Sequence, residues 1–181
     1  MRWIDSKYNK KAQVWIETVI YTLIGLAILG TLVAVATPKI NAMKDESLIE
    51  QAMSSMETIY GKMDNAARTK GNRVKFGLDV GKGKFVVDGK NNQLYWIIDS
   101  ALEYSSIDST VKIGIFEVTT TTGDPYTVKL VVPSVYDIRY DGKDMEGGFD
   151  AAPNVYTITV ENEGSSSSES GSKIILNFKE L

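Results

Sequence analysis

Glu17 stands at the threshold of a charge-free apolar run, Thr18 to Pro38, and its type and place ask for specific chemistry. A carboxylate held in lipid or in a packed helical core costs on the order of 2.5–3.5 kcal/mol or more unless it is paired. The chemistry on offer is therefore an ion pair with a buried ammonium. Other motifs offer less. Gly81-Lys82-Gly83-Lys84 lacks P-loop spacing and the following Ser or Thr, and a hairpin turn accounts for it. Asp141, Asp144, Glu146 and Asp150 crowd one Gly-rich segment. Their oxygens would suit Ca²⁺, but the spacing is not that of an EF-hand, and a solvated acidic loop is the expected state. With neither His nor Cys in the chain, Ser–His and Cys–His nucleophile pairs, thiol chemistry and disulfides are excluded. The remaining ionisable residues show no catalytic pairing, so neither an enzyme nor a cofactor or metal site is expected.

The charge balance narrows the partners. The chain carries a net charge of −3. Arg2, Lys7, Lys10 and Lys11 against Asp5 give residues 1–12 a charge of +3, which leaves −6 on the remainder. An acidic chain without clustered Lys and Arg is a poor nucleic-acid binder. Thr18 to Thr37 matches the ~20 residues that span a bilayer and exceeds an ordinary secretory apolar region. Ala34 and Ala36 loosely match the small-residue spacing of ordinary signal cleavage, which leaves that alternative open. Cations precede the run, and Lys39, Lys44, Asp45 and Glu46 follow it. The positive-inside rule puts the N-terminus in the cytoplasm and the rest outside.

These residues must be positioned by three segments. Residues 1–12 read as a short basic leader, 13–70 as one long helix and 71–181 as a β-rich domain. The fold class is α+β, with the long N-terminal helix packed on a C-terminal antiparallel β domain. The first half of the helix, 18–37, is apolar on every face. The second half is amphipathic. Leu48, Ala52, Met56, Ile59, Met63 and Ala66 recur at steps of four and three, widened by Ile49, Met53 and Tyr60. Asp45, Glu46, Glu50, Glu57, Lys62 and Asp64 read as the opposite, polar face. Pro38 removes a donor and crowds the Ala34 carbonyl, so a kink or an unwound turn is expected there. Gly71-Asn72, with Arg68 and Lys70 just before, reads as the helix stop.

In the C-terminal domain, 73–78 and 84–87 read as a hairpin turning at Gly81-Lys82-Gly83. Residues 93–98 read as a strand, with 98–105 either its continuation or a short helix. One strong strand is expected over 111–118, with others over 126–132, 135–140, 154–160 and 173–178. Ser165 to Ser168 reads as a flexible exposed loop by composition. Many short strands with turns between them predict an antiparallel sandwich or a curled sheet.

Lys10-Lys11-Ala12-Gln13-Val14-Trp15-Ile16-Glu17, followed by the apolar helix, resembles the class III signal of archaeal type IV pilin-like precursors. The resemblance covers residues from Lys10 to about Pro38. One departure is Trp15, where the family often has Ser. The resemblance implies cutting by a prepilin-type peptidase between Ala12 and Gln13, on the cytoplasmic side of the membrane. It implies that Glu17, four residues after the new Gln13 ammonium, sets the register between subunits of a filament. It also implies a homo-polymer built through the N-terminal helix, an assembly platform in the membrane, and a mature form in an extracellular surface filament used for attachment. The residues agree physically, because Gln13 and Glu17 share one helical face. Gly25 and Gly30, with Ala27, Ala34 and Ala36, are small residues that let apolar helices approach closely.

Other readings fit the same residues. Glu17 at the headgroup boundary of an ordinary anchor would give a single-pass extracellular binding domain that never polymerises. A minor pseudopilin of a secretion or uptake machine, or an archaellum-like subunit, would share the same leader.

Overall fold

A computed structural model describes residues 7–168 and 171–181, and the chain divides into two compact units, Met1–Asn41 and Ala42–Leu181. Helix α1 (Lys7–Ala67) runs across the boundary between them. It begins inside the segment read as a leader, whose residues 1–6 lie outside the described residues.

In the first unit, the window of mean hydropathy 2.4 within α1 is long and apolar enough to cross a membrane, and none of it is buried. A helix suits such a run because every interior backbone donor finds its acceptor within the segment. The Thr hydroxyls follow the same rule. Thr18, Thr22, Thr31 and Thr37 each donate to the carbonyl four residues back, at 2.8–2.9 Å. The helix continues through Pro38 without a break, so the unwound turn does not occur. Pro38 has no N–H to donate to Ala34, but a single missing bond is tolerated in a long helix whose neighbouring turns remain intact.

In the second unit, the helix from Ala42 to Ala67 presents one stripe to the β domain. Ile49, Ala52, Met56, Ile59, Met63 and Ala66 are buried in a single apolar cluster with side chains from both sheets. Asp45 is buried too, and is not on the polar face where the sequence suggested it. The steps 45, 49, 52, 56, 59, 63 alternate four and three, which makes Asp45 the first residue of the stripe.

The helix ends at Ala67, three residues short of the expected Lys70. Gly71 takes a positive φ of 79° just beyond it. Two asparagines satisfy its last carbonyls. Asn72 Nδ2 donates to Asn65 O at 2.7 Å, and Asn162 Nδ2 donates to Ala67 O at 3.0 Å and to Ala66 O at 3.3 Å.

Among the described residues, ten strands form two sheets. They are β1 (Arg73–Leu78), β2 (Lys84–Asp88), β3 (Gln93–Ser100), β4 (Thr110–Ile113), β5 (Phe116–Thr121), β6 (Tyr126–Pro133), β7 (Asp137–Tyr140), β8 (Glu146–Asp150), β9 (Tyr156–Ser168) and β10 (Gly171–Glu180). One sheet has the order β1-β9-β10-β7 and the other β4-β5-β6-β3-β2-β8. All pairs are antiparallel except β7 with β10, which run parallel. Alternation sends Leu94, Trp96 and Ile98 of β3 and Val128, Leu130 and Val132 of β6 into the core. The two sheets meet through an aromatic chain. Phe149 of β8 lies 5.2 Å from Tyr156 of β9 and 6.0 Å from Tyr140 of β7, in edge-on geometry. Gly147 makes room for this, since a Cβ there would sit 2.2 Å from the Tyr140 ring.

Several local expectations are corrected. β1 and β2 do not form a hairpin: β1 pairs with β9, and β2 with β3 and β8. The Gly81-Lys82-Gly83 turn instead carries the chain from one sheet to the other. Gly83 is required there, because at its φ of 78° a Cβ would lie 2.0 Å from Ile97 O. The strand expected over 111–118 is two strands, β4 and β5, folded at a two-residue turn with Gly114 at φ 60°. Residues 98–100 continue β3 as strand, and no helix follows. Ser165 to Ser168 is not a loop but the end of β9, paired with Gly171 to Ile174. The acidic segment 141–150, expected as a loop, contains β8, an edge strand.

Candidate functional site

Ala12, Gln13, Glu17, Gly25, Gly30 and Pro38 all lie on α1. The helix places Gln13 and Glu17 one turn apart, on the same face. The side chains of residues 7–13 lie outside the described residues, so the surroundings of the Ala12–Gln13 bond do too. Glu17 is exposed and makes no ion pair among the described residues. Trp15, Tyr21 and the Leu, Ile and Val side chains from Val14 to Val35 are exposed as well. A Cβ built at Gly25 or Gly30 meets nothing within 4 Å. The helix therefore displays a bare apolar cylinder with open notches at its two glycines and one carboxylate near its start. Such a surface is unsuited to water and suited to lipid or to other apolar helices.

Thr18, Thr22, Thr31 and Thr37 also belong to this surface, and no sequence motif marks them. By donating back to the helix they satisfy their own hydroxyl donors. Among residues 14–37, Glu17 carries the one formal charge.

The second unit contributes one charged contact at its start. Lys82 Nζ donates to Asp45 Oδ1, and Ala101 N donates to Asp45 Oδ2 at 2.7 Å. Burial works against the charged carboxylate. The Ala101 N–H and the Lys82 ammonium outweigh it and hold Asp45 below the usual carboxylate range. This pair fastens the helix to the β1–β2 connection and to the end of β3. The four-residue step from Asp45 to Ile49 was the signal that could have revealed it.

The acidic residues of 141–150 do not converge. Asp144 faces Arg139 at 3.4 Å and Asp150 faces Lys84 at 3.5 Å. No group of three Asp or Glu able to hold a metal ion occurs among the described residues. No protein-family model matches the chain, and neither a curated protein nor a solved structure matches it.

Proposed function

We propose that this chain is the precursor of an archaeal type IV pilin-like subunit that polymerises into a surface filament for attachment. A prepilin-type peptidase cuts between Ala12 and Gln13 at the cytoplasmic face and removes the basic leader. The helix from Gln13 then holds the subunit in the membrane until an assembly platform draws it into the filament. There the apolar halves of α1 pack together at the core and the β domain faces outward. Glu17 receives the Gln13 ammonium of the next subunit, which removes the burial cost of both charges and fixes the axial stagger.

The observation that carries this reading is the unpartnered apolar half of α1, with Glu17 as its single carboxylate one turn from Gln13. A membrane anchor alone would explain the apolar surface but gives Glu17 no task. The anchored binding domain is the second reading, supported by the self-sufficient core of the unit Ala42–Leu181.

Glu17→Gln separates the two. It keeps size and hydrogen bonding while leaving the neighbour's ammonium buried without a counter-charge, at a cost of roughly 3–5 kcal/mol. Processed subunits should accumulate in the membrane while surface filaments become scarce. Normal filament numbers would remove the registering role from Glu17.

A further inference from the structure

Trp15 and Tyr21 are the two aromatic residues between Val14 and Ile59, and both stand at the N-terminal end of the apolar run. They are 72% and 70% exposed, and neither the Trp15 indole N–H nor the Tyr21 hydroxyl has a hydrogen-bond partner among the described residues. Each ring joins an apolar body to a polar edge, which suits the boundary between lipid tails and headgroups. No aromatic side chain stands at the other end, where Lys39 and Lys44 follow the run. The girdle is therefore one-sided. Trp15 is also the position at which the chain departs from the class III signal.

The helix sets the depth of each ring. It is continuous from Lys7 to Ala67, so the rise per residue converts sequence into distance. Thr18 to Thr37 spans about 30 Å, the thickness of a hydrocarbon core. Trp15 then lies about 4.5 Å outside the Thr18 end, within a headgroup layer of roughly 5–7 Å. Tyr21 lies about 4.5 Å inside it, but helical side chains lean toward the N-terminus, which carries the phenol hydroxyl back toward the same boundary. The Ala12–Gln13 bond is about 4 Å beyond Trp15 along the axis. An apolar cylinder alone does not fix this depth, because sliding it by one residue exchanges one apolar side chain for another at little cost. A ring with one polar edge does fix it. Around the helix, Trp15 stands about 200° from Gln13 and about 160° from Glu17, so it faces away from the pair proposed to join subunits.

We propose that Trp15, assisted by Tyr21, seats the N-terminal end of the helix in the headgroup layer and so holds the Ala12–Gln13 bond at the depth where the peptidase cuts it. Trp15 is a positioning residue: it touches lipid, not the reacting bond. The inference rests on the processing reading above and adds to it the feature that places the bond.

The rate of leader removal in cells producing the full chain, followed by pulse-chase, tests it. Trp15→Leu keeps the run apolar but removes the polar edge. It should slow removal about tenfold with the chain still inserted, since small misplacements of a reacting bond are costly. Trp15→Tyr should return the rate to within about twofold of the parent. Trp15→Leu with Ile16→Trp moves the ring about 1.5 Å along the axis and about 100° around it, and should also recover, because headgroups surround the helix on every side. Depth is read separately in phosphatidylcholine vesicles with brominated acyl chains, using Trp3→Phe in both the parent and the Trp15→Leu chain. Trp96 is 2% exposed in the core of the β domain, so the quenching that Trp15→Leu removes belongs to Trp15. It should be strongest for bromines nearest the headgroups. Removal at the parent rate in Trp15→Leu would overturn the inference, as would quenching that is absent or strongest at the bilayer centre. Slow removal that neither Trp15→Tyr nor Ile16→Trp rescues would assign the indole to a pocket of the peptidase and overturn it likewise. Shallow quenching in a parent chain that is never cut between Ala12 and Gln13 would remove the processing reading, and with it the role assigned to Trp15, while leaving the membrane anchor standing.

Discussion

Asp45 and Lys82 are 37 positions apart in sequence and are paired, with the second carboxylate oxygen of Asp45 held by Ala101 N at 2.7 Å. The contact joins the start of the buried helical stripe to the connection between the two sheets.

This pairing gives the β domain an acid limit. The folded-state pKa of Asp45 lies below the ordinary ~3.9 of an unfolded Asp. Its stabilisation is therefore complete above about pH 4 and disappears as pH falls through the lower folded value. Asp88 behaves alike. Burial opposes its charge, but donors from Asn91, Gln93 and Lys90 hold its carboxyl low. Unfolding followed against pH should show stability falling below about pH 4. Lys82→Met leaves Asp45 only the Ala101 donor and should raise the pH at which the loss begins. An unmoved acid limb would mean that the pair contributes nothing to it.

Tyr136 sets an alkaline counterpart. Its hydroxyl donates to Asp64 Oδ1 at 2.8 Å. Burial first, then the Asp64 hydrogen bond and the charge of Asp64, push the phenol up to about 12. The stabilisation is present below the unfolded value of ~10 and is lost as pH rises toward 12. Ultraviolet titration should show one tyrosine ionising near 12 that is absent from Tyr136→Phe, and that variant should lose about 1 kcal/mol at neutral pH. A phenol at Tyr136 titrating near 10 would contradict the Asp64 contact.

The helical stripe holds the β domain together. Met56 is fully buried at its centre, whereas Glu57 is exposed. A chain starting at Lys39 is expected to be soluble and monomeric, and Met56→Ala should destabilise it by roughly 2–5 kcal/mol. Glu57→Ala should change it by less than about 0.5 kcal/mol. Equal effects in chemical denaturation would show that the stripe is not packed in solution as it is here.

Asn162 is a strand residue that caps a helix. Its amide donates to Ala66 O and Ala67 O, and its carbonyl oxygen accepts from Gly164 N at 2.9 Å. Asn162→Ala leaves these groups buried without partners and should cost about 1–3 kcal/mol. Hydrogen exchange should rise first in the last turn before Ala67. Exchange that rises elsewhere first would locate the weakness in the strand instead.

The helix was legible in the sequence because its signals are local. Twenty apolar residues and a repeat of four and three require no knowledge of partners. The spacing also held the place of Asp45, which its charge disguised. Strand partners were not legible in this way. Arg73 to Leu78 alternates as a strand should, but alternation says nothing about whether β2 or β9 lies alongside. Gly114 inside an apolar alternating run marks a turn only once its positive φ is known. Ser165 to Ser168 looked unstructured because Ser lacks side-chain packing, while their order here comes from backbone pairing with β10. For the same reason Glu146 to Asp150 carries little strand signal: β8 has two glycines and buries only Phe149 as a large side chain. Gln13 and Glu17 stand out through the resemblance of Lys10 to Pro38 to a class III signal, with which their four-residue spacing agrees, and their proposed partner belongs to another copy of the chain.

The most direct measurement is the mass and N-terminal sequence of the subunit recovered from purified surface filaments. The account predicts filaments made of this chain beginning at Gln13, with Lys10-Lys11-Ala12 removed. A surface form that begins at Met1 or after Ala36, or that is never found in filaments, would contradict it.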